Sequence, residues 1–525
     1  MPLTPATLIG SQSIPGSGPS IHAHDPVANQ PLEPEFPDSS PSQIDAACQL
    51  AEAAFDPYRA APLEARAALL EAISEEILAL GDPLIERAMA ESGLPRLRLE
   101  GERARTTGQL RFFAAIVRQG RFLALTLDSA LPERKPVPRP DLRLRKIPVG
   151  PVAIFGASNF PLAFSVAGGD TASALAAGCP VVVKAHPSHP GTSQLVGQAI
   201  QRAVAASGLP EGIFSLLHGH QNSVGEALVL HPAISAVGFT GSRKGGLALV
   251  KLASQRPVPI PVFAEMSSIN PVFLLPAALA ARIESIAQGF VDSMTLGTGQ
   301  FCTQPGLLFV IDSPETQNFL KLAGEKLQQK PATPMLNSGI CNAYATGLQK
   351  LLKSNTPQLV AQGQPNAEGL RGQAALFSTD AASFLAHPEL SEELFGPSSL
   401  VVLCAHPAEL LRLASSLEGQ LTATLQMDRE DTALTQQLLP TLERKAGRIL
   451  VNGFPTGVEV ATAMVHGGPY PATSDSRSTS VGALAIDRFL RPVCYQDFPA
   501  ELLPPELQQN NPLNLTRFEN GKARP

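Results

Sequence analysis

The sequence predicts an α/β protein with two large domains, each built around a sheet. At 525 residues the chain is longer than one ordinary domain of roughly 100–200 residues. Its hydrophobic fraction is 44%, enough to form a large core. From residue 150 onward, short apolar runs alternate with helical patterns, and this alternation is typical of parallel strands joined by crossover helices.

The segment before residue 150 predicts helices followed by an extended arm. Within residues 43–92, apolar side chains recur at helical spacing after Pro62, and Asp82-Pro83 predicts the end of that pattern. Residues 131–147 contain four prolines and alternating charges, which favours an extended arm that contacts a second subunit or bridges domains.

The next segment predicts a Rossmann-type parallel sheet. Strands are expected at 152–155, 181–183, 213–217, 234–239 and 260–263, and helices at about 165–177, 190–207, 221–229 and 242–254. Gly178 and Gly208 each end a helix before the next strand. Such sheets bind ligands beyond the carboxyl ends of their strands, where Gly156, Lys184, His218 and Thr240 are expected.

A second α/β unit is expected from Pro271 to about residue 475. It contains a predicted helix near 282–296, a glycine-broken loop at 297–305 and a strand at 307–311. The tail from about residue 485 is rich in Pro and Leu and is expected to pack across a subunit boundary.

Charge and composition exclude several classes of protein. The net charge is −6 and there is no block of five like charges, so nucleic-acid binding is not expected. The N-terminus lacks the pattern of a signal peptide and no apolar run is long enough to span a bilayer, so we expect a cytoplasmic protein. The six cysteines form no CxxC pair, so neither a metal site nor disulfides are expected.

Three residues are candidates for catalysis, each with a plainer alternative. Cys302 lies in the loop LGTGQFCTQPG, where a thiol can meet a ligand, but it can equally be a core cysteine. Glu265 follows an apolar strand, where a raised pKa would suit a general base; a salt-bridged strand-end acid fits as well. Asn159 in GASNFP can donate to an oxyanion or simply occupy a turn.

Cofactor candidates follow the predicted strands. In FTGSRKGG, Gly241 and Gly246 would allow a phosphate to approach a helix N-terminus, although this is a weak glycine pattern. Lys184 ends the strand VVVK and faces the expected binding crevice.

Six motifs in this order resemble those of the aldehyde dehydrogenase superfamily. They are SNFP at 158–161, Lys184, FTGS at 239–242, Glu265, GQFC at 299–302 and EELFGP at 392–397. Within it, residues 156–193, FAEMSSINPVF, VNGFPTGVEV and MVHGGPYPATSDSRSTSVG look like the 2-oxoglutarate semialdehyde (2,5-dioxovalerate) dehydrogenase branch, which is similar to bacterial NADP-dependent fatty aldehyde dehydrogenases.

The resemblance implies a reaction through a thioester. Cys302 would attack the aldehyde, Asn159 would stabilise the oxyanion, hydride would pass to the nicotinamide, and Glu265 would activate the hydrolytic water. His466 resembles a histidine near the thiol in the fatty aldehyde branch, and a structural role fits it as well. Cofactor contacts would come from Lys184, Gly241, Ser242, Gly246, Glu393 and Phe395.

The resemblance also implies a division of the chain and a cofactor. The cofactor domain would comprise 1–130 and 148–265, the catalytic domain 266–480, and the oligomerisation arm and tail 131–147 and 481–525, in a homodimer or homotetramer. NAD-preferring relatives carry a glutamate where this chain has Pro187, so NADP is expected, with NAD as the alternative. Phe301 suggests an apolar mouth, and Arg477 is a guess for binding a distal carboxylate.

Three other functions compete with this interpretation. The chain can be an aliphatic or fatty aldehyde dehydrogenase, a CoA-acylating enzyme, or a silent member of the fold. Glu265 argues against the CoA-acylating type, whose members typically lack that base, and the set of Cys302, Glu265 and Asn159 argues against a silent protein.

Overall fold

The structure is a computed structural model that describes residues 3–365 and 369–524. Residues 1–2 of the predicted cofactor domain and residue 525 of the predicted tail lie outside the described residues. Strands and helices are numbered below in chain order.

The strands are β1 (Thr7–Ile9), β2 (Gln12–Ile14), β3 (Ser20–Asp25), β4 (Gln30–Pro37), β5 (Thr126–Asp128), β6 (Leu142–Pro148), β7 (Val152–Phe155), β8 (Val181–Lys184), β9 (Phe214–Leu217), β10 (Ala236–Thr240), β11 (Val262–Glu265), β12 (Val272–Leu274), β13 (Leu307–Ile311), β14 (Thr333–Pro334), β15 (Gln358–Gln362), β16 (Arg371–Gly372), β17 (Ala375–Asp380), β18 (Ser398–Cys404), β19 (Gln420–Gln426), β20 (Ala446–Val451), β21 (Leu490–Gln496), β22 (Arg517–Glu519) and β23 (Lys522–Arg524).

The α-helices are α1 (Pro41–Ala60), α2 (Leu63–Ala79), α3 (Gly81–Ser92), α4 (Arg96–Gln119), α5 (Gly169–Ala177), α6 (Pro190–Ser207), α7 (Asn222–Leu230), α8 (Arg243–Ser254), α9 (Pro276–Thr295), α10 (Pro314–Gln328), α11 (Ser338–Lys353), α12 (Ala381–Ala386), α13 (Pro407–Ser416) and α14 (Thr432–Lys445).

The first sheet contains the predicted parallel strands. Its order is β11-β10-β7-β8-β9-β1-β2, and the five strands from β11 to β9 are parallel. The predicted α/β fold is therefore confirmed in this half. Gly178 and Gly208 end α5 and α6 in the left-handed conformation, as predicted. The antiparallel β1 and β2 at one edge were not predicted, because a three-residue strand leaves almost no periodic signal.

Both faces of this sheet are covered, which explains its continuous apolar runs. Ile154 and Val183 contribute to a core on one face, and Ala153 and Val182 contribute to a core on the other. A sheet buried on both sides needs apolar residues at every position rather than at alternate ones.

The second sheet has the order β15-β17-β18-β13-β12-β19-β20 and is parallel except for β15. Its two faces also carry separate cores, with Phe273 and Phe309 on one side and Val272 and Leu308 on the other. The predicted strand at 307–311 is β13 with the same bounds, and the predicted helix near 282–296 belongs to the longer α9.

A smaller sheet joins the predicted arm to the tail. Its order is β21-β6-β5-β22-β23, and β6 pairs antiparallel with β21 along its whole length. The division of the chain into domains at the boundaries given above stays a prediction.

Two helical features differ from the prediction. Asp82-Pro83 does not follow a helical end directly; α2 stops at Ala79, and the pair lies in the first turn of α3, where proline is tolerated. The helix α4 was not predicted, since Gly101 and Gly108 interrupt its pattern. Within the described ranges, no helix is both long enough and apolar enough to cross a membrane.

Candidate active site

The topology of the first sheet creates a cleft between β7 and β10. From β7 the chain order proceeds through β8 and β9 in one direction, while β10 and β11 lie on the other side. The loops after β7 and β10 therefore separate, and a crevice opens at the carboxyl ends of these strands. A cavity of about 600 Å³ lies there, lined by Asn159, Gly241, Glu265 and Cys302 among others. We call it the inner cavity.

A second cavity reaches Cys302 from another direction. Its volume is about 660 Å³, and its walls include the aromatic residues Phe160, Phe164 and Phe301. We call it the outer cavity. Cys302 lines both cavities, so the residue borders the inner cavity on one side and the outer cavity on the other.

The loop that carries Cys302 has an unusual backbone. Gly297, Thr298 and Gly299 have φ values of 56°, 59° and 65°. Such a conformation is strained for a β-branched residue. The hydroxyl of Thr298 hydrogen-bonds to the Thr333 hydroxyl and to the Pro334 carbonyl at 2.7 and 2.8 Å, which holds the turn in place.

Two asparagines fasten the same loop through backbone carbonyls. The Asn270 amide donates to the carbonyls of Cys302 and Gln304, each at 2.9 Å. The Asn159 amide donates to the Gln300 carbonyl at 2.9 Å, and its second N–H can still reach a ligand in the inner cavity. Asn270 was not predicted as a site residue, although it lies in the FAEMSSINP motif and precedes a proline.

Glu265, His466 and Ser480 form a hydrogen-bonded cluster beside the thiol. His466 Nε2 lies 2.8 Å from Glu265 Oε1 and 3.4 Å from Cys302 Sγ. Ser480 donates to Glu265 Oε2 at 2.5 Å. Cys302, Glu265 and His466 therefore lie together, and Asn159 lines the inner cavity with the first two. Their catalytic roles stay predictions, and Ser480 was not predicted. The atoms of Cys302, Glu265 and His466 that could bind a metal lie within 4.8 Å of one another.

The pKa of Glu265 differs in direction from the prediction. Burial alone would raise it, but the charge and hydrogen bond of His466 and the hydrogen bonds of Ser480 and Cys302 outweigh burial and hold the pKa of Glu265 below its ordinary value. The predicted raised pKa was wrong because the sequence did not show these partners. Glu265 is thus a carboxylate that can accept a proton at neutral pH.

The thiol has the opposite shift. Burial, followed by the charge and hydrogen bond of Glu265, raises the pKa of Cys302 well above its ordinary value. The resting thiol is therefore protonated. Its proton needs an acceptor when sulfur attacks, and Glu265 and His466 are both in contact.

The inner cavity reaches the N-terminus of α8 at two glycines. Gly241 and Gly245 face it at the start of α8, and a Cβ at either position would lie 2.7 or 3.0 Å from the Phe239 ring. The absence of side chains leaves the helix N-terminus open to a phosphate. Ser242 lines the cavity, but its hydroxyl already caps α8 by accepting the Gly245 N–H.

The other predicted cofactor residues divide into two groups. Glu393 and Phe395 line the inner cavity, as predicted, and burial raises the pKa of Glu393 to about 7. Lys184 and Gly246 do not line it. Gly246 packs against Met266, so that a Cβ there would lie 2.7 Å from its sulfur. Lys184 Nζ donates to the Ala185 carbonyl at 3.2 Å, and burial lowers its pKa to about 8.

The guess that Arg477 binds a distal carboxylate was wrong. Its side chain is 88% exposed, pairs with Asp475 and lines neither cavity. The arginines of the outer cavity are Arg98, Arg105 and Arg448. The first two lie on α4, the helix that the sequence analysis did not predict.

The chain belongs to the aldehyde dehydrogenase family, whose model matches residues 14–470. Enzymes of this family oxidise aldehydes with NAD or NADP. The chain is 59% identical over 524 residues to alpha-ketoglutaric semialdehyde dehydrogenase 2 of Azospirillum brasilense, covering 100% of both chains. It is 49% identical to alpha-ketoglutaric semialdehyde dehydrogenase of Acinetobacter baylyi, covering 98% of this chain and 97% of the relative.

Solved structures of the same fold are more distant in sequence. Aldehyde dehydrogenase C of Pseudomonas syringae, crystallised as a mutant with NAD+ and octanal, superposes with a TM-score of 0.80 at 22% identity, covering 95% of this chain and 97% of that chain.

A single methyl group at Gly299 is expected to displace the Cys302 loop. A Cβ there would overlap the backbone of Gly396, and the φ of 65° is unfavourable for alanine. We expect Gly299→Ala to lower the unfolding free energy by about 3 kcal/mol and kcat/KM by about 100-fold, because a small misplacement of reacting groups is costly. Thermal unfolding and steady-state kinetics measure both.

Gly208→Ala is the matched control. Gly208 has a φ of 71°, and among the described residues no atom beyond its own chain neighbours would lie within 4 Å of a Cβ added there. It should lose about 1 kcal/mol from backbone strain alone and retain its activity. Equal kinetics for the two variants would contradict the role of close packing at Gly299.

Proposed function

We propose that this chain oxidises 2-oxoglutarate semialdehyde (2,5-dioxopentanoate) to 2-oxoglutarate with NADP, through a thioester on Cys302. The observation that carries the proposal is the position of the Cys302 thiol. It lies between the two cavities and contacts His466, which in turn contacts Glu265. The named relatives support the choice of substrate, since both are alpha-ketoglutaric semialdehyde dehydrogenases.

The first half of the reaction forms the thioester. The sulfur of Cys302 bonds to the aldehyde carbon while its proton passes to the Glu265 carboxylate, with His466 hydrogen-bonded to both groups. The free N–H of Asn159 and the backbone N–H of Cys302 donate to the new oxyanion. NADP, when bound in the inner cavity, would supply the two-electron oxidant as a hydride acceptor.

The second half of the reaction releases the acid. Glu265 first releases the thiol's proton to solvent and then removes a proton from water, the water oxygen bonds to the thioester carbon, and the carbon–sulfur bond breaks. The sulfur regains its proton, so the enzyme returns to its starting state. Because its pKa is held low, the Glu265 carboxylate is ionised throughout the neutral range and can take the proton, although it is a weaker base than one with a raised pKa.

The cofactor would occupy the inner cavity. Gly241 and the start of α8 would hold the pyrophosphate, and Glu393 with Phe395 would hold the nicotinamide riboside. Pro187 follows Lys184 where NAD-preferring relatives carry a glutamate, so a 2′-phosphate meets no carboxylate at that position. Lys184 would supply a positive charge from the end of β8. The chain would act as a homodimer or homotetramer through its β5, β6 and β21–β23 sheet.

An aliphatic aldehyde dehydrogenase is the second candidate. The three phenylalanines of the outer cavity favour it, because they would pack against an alkyl chain. The three arginines in the same cavity favour an anionic aldehyde instead.

The test is a comparison of aldehydes with both cofactors. We expect kcat/KM for 2-oxoglutarate semialdehyde to exceed that for pentanal by about 100-fold or more, and NADP to be preferred to NAD. Reduced nicotinamide is followed by its absorbance. Equal or better turnover of pentanal and long-chain aldehydes would favour the second candidate, and a strong preference for NAD would contradict the interpretation of Pro187.

A further inference from the structure

The outer cavity carries more charge than an apolar aldehyde requires. Arg98, Arg105 and Arg448 share its wall with Glu102 and Glu459. Of the three arginines, Arg105 is the one with two buried guanidinium nitrogens that have no hydrogen-bond partner among the described residues, and this difference indicates which one would gain most from a ligand.

Arg98 and Arg448 already have partners on the protein. The Arg98 guanidinium donates to the Asn159 carbonyl at 2.9 Å and lies 4.8 and 4.5 Å from the centres of the Phe160 and Phe301 rings. Arg448 donates from both terminal nitrogens, to the carbonyls of Pro455 and Gly457 at 2.7 and 2.9 Å. These two arginines shape the loops around the thiol.

Arg105 keeps one edge of its guanidinium free. Nη1 donates to the Val458 carbonyl, while Nε and Nη2 have no hydrogen-bond partner among residues 3–365 and 369–524. The N–H groups of Nε and Nη2 point in parallel from one side of the guanidinium. That edge forms the two-pronged pair with a carboxylate, and leaving it buried without a partner is costly.

We propose that the free edge of Arg105 binds the distal carboxylate of the aldehyde and thereby selects an anionic substrate. This inference rests on the function proposed above. It assigns the substrate carboxylate to a residue of α4.

The position of Arg105 suits a short substrate. Its guanidinium lies 5.5 Å from the centre of the Phe164 ring, and that ring lies 6.2 Å from the His466 ring, which contacts Cys302. Phe164 therefore forms a stretch of the cavity wall that reaches from Arg105 toward the histidine beside the thiol. The ends of an extended five-carbon chain are roughly 5 Å apart, from standard bond lengths, so a semialdehyde can extend along this wall.

Glu102 does not compete for that edge in the structure. Its Oε1 accepts the N–H groups of Leu162 and Ala163 at 2.8 and 3.0 Å, while Oε2 has no partner within the described part of the chain. Burial raises the pKa of Glu102, which weakens its charge beside the arginine. Glu459 is another carboxylate whose charge acts on Arg105, and its Oε1 accepts the Val460 N–H rather than an N–H of the arginine.

The test replaces Arg105, so that the two-pronged pair with a carboxylate cannot form, and compares a charged with an uncharged aldehyde of equal chain length. For Arg105→Gln we expect kcat/KM for 2-oxoglutarate semialdehyde to fall about 100-fold, chiefly through KM, because a charge-assisted pair is lost. The value for pentanal should change by less than about threefold. Arg105→Lys keeps the positive charge but cannot form the two-pronged pair, so its kcat/KM for the semialdehyde should lie between those of the wild type and the glutamine variant.

Arg111→Gln is the matched control, because Arg111 lies on the same helix and pairs with Glu75 at the surface. It should leave both substrates unchanged. An equal loss for both aldehydes in Arg105→Gln, or no loss for the semialdehyde, would overturn the inference. If the glutamine variant does not fold, an Arg105→Lys variant that matches the wild type on both aldehydes would overturn it.

Failure of the proposed function would look different. In that case the wild type itself would not prefer the semialdehyde to pentanal. A wild-type preference that survives in Arg105→Gln would leave the function in place and remove only the role of Arg105.

Discussion

Cys302→Ser is expected to abolish both the rapid first release of reduced cofactor and steady turnover. Serine is nearly isosteric, but its hydroxyl has a far higher pKa than a thiol and is a much weaker nucleophile at neutral pH. We expect kcat/KM to fall by at least about 10⁴-fold, the scale seen when a covalent nucleophile is removed. Rapid mixing with the semialdehyde and NADP measures the burst, and steady-state kinetics measures turnover.

Cys494→Ser is the control for this variant. Cys494 is exposed on β21 in the small sheet and lines neither cavity. It should keep the wild-type burst and turnover. A normal burst in Cys302→Ser would exclude the thiol as the nucleophile.

Glu265→Gln is expected to separate the two halves of the reaction. The amide retains the shape of the side chain but cannot take a proton from water, so hydrolysis should slow by about 100- to 1,000-fold. The burst should keep its amplitude but form more slowly, because the thiol loses Glu265 as its proton acceptor and keeps only His466 in contact. Burst amplitude and steady-state rate are both read from reduced nicotinamide.

Hydroxylamine provides a chemical control for Glu265→Gln. It is a neutral nucleophile that attacks a thioester without a general base, so it should restore turnover in the variant. Glu226→Gln, at an exposed position on α7, should behave as the wild type with and without hydroxylamine. Unchanged steady turnover in Glu265→Gln would remove Glu265 from the role of base.

The sequence predicted the fold well where burial gives a strong local pattern. The strands from β7 to β11 are buried on both faces, so their apolar runs and the glycines between them fixed their positions within a few residues. The edge strands β1 and β2 and the helix α4 were missed. The two strands are too short to show a periodic pattern, and Gly101 and Gly108 interrupt the pattern of the helix.

The sequence predicted which residues form the candidate site but not the direction of the Glu265 pKa shift. Cys302, Glu265 and Asn159 stand far apart in sequence, and only their place among ordered motifs brought them together. The direction of the Glu265 pKa shift depends on Ser480 and His466, more than 200 residues away along the chain. Arg105 was not predicted as a site residue for the same reason, because only the fold brings its guanidinium beside Val458 and Phe164.

The thioester itself is the central claim, and peptide mass spectrometry tests it most directly. Glu265→Gln is mixed with the semialdehyde and NADP, quenched in acid and digested. We predict that the peptide containing Cys302 carries the mass of the acyl group, that hydroxylamine removes this mass, and that Cys302→Ser never acquires it. An unmodified Cys302 peptide during an undiminished burst, or the acyl group on another residue, would contradict the account.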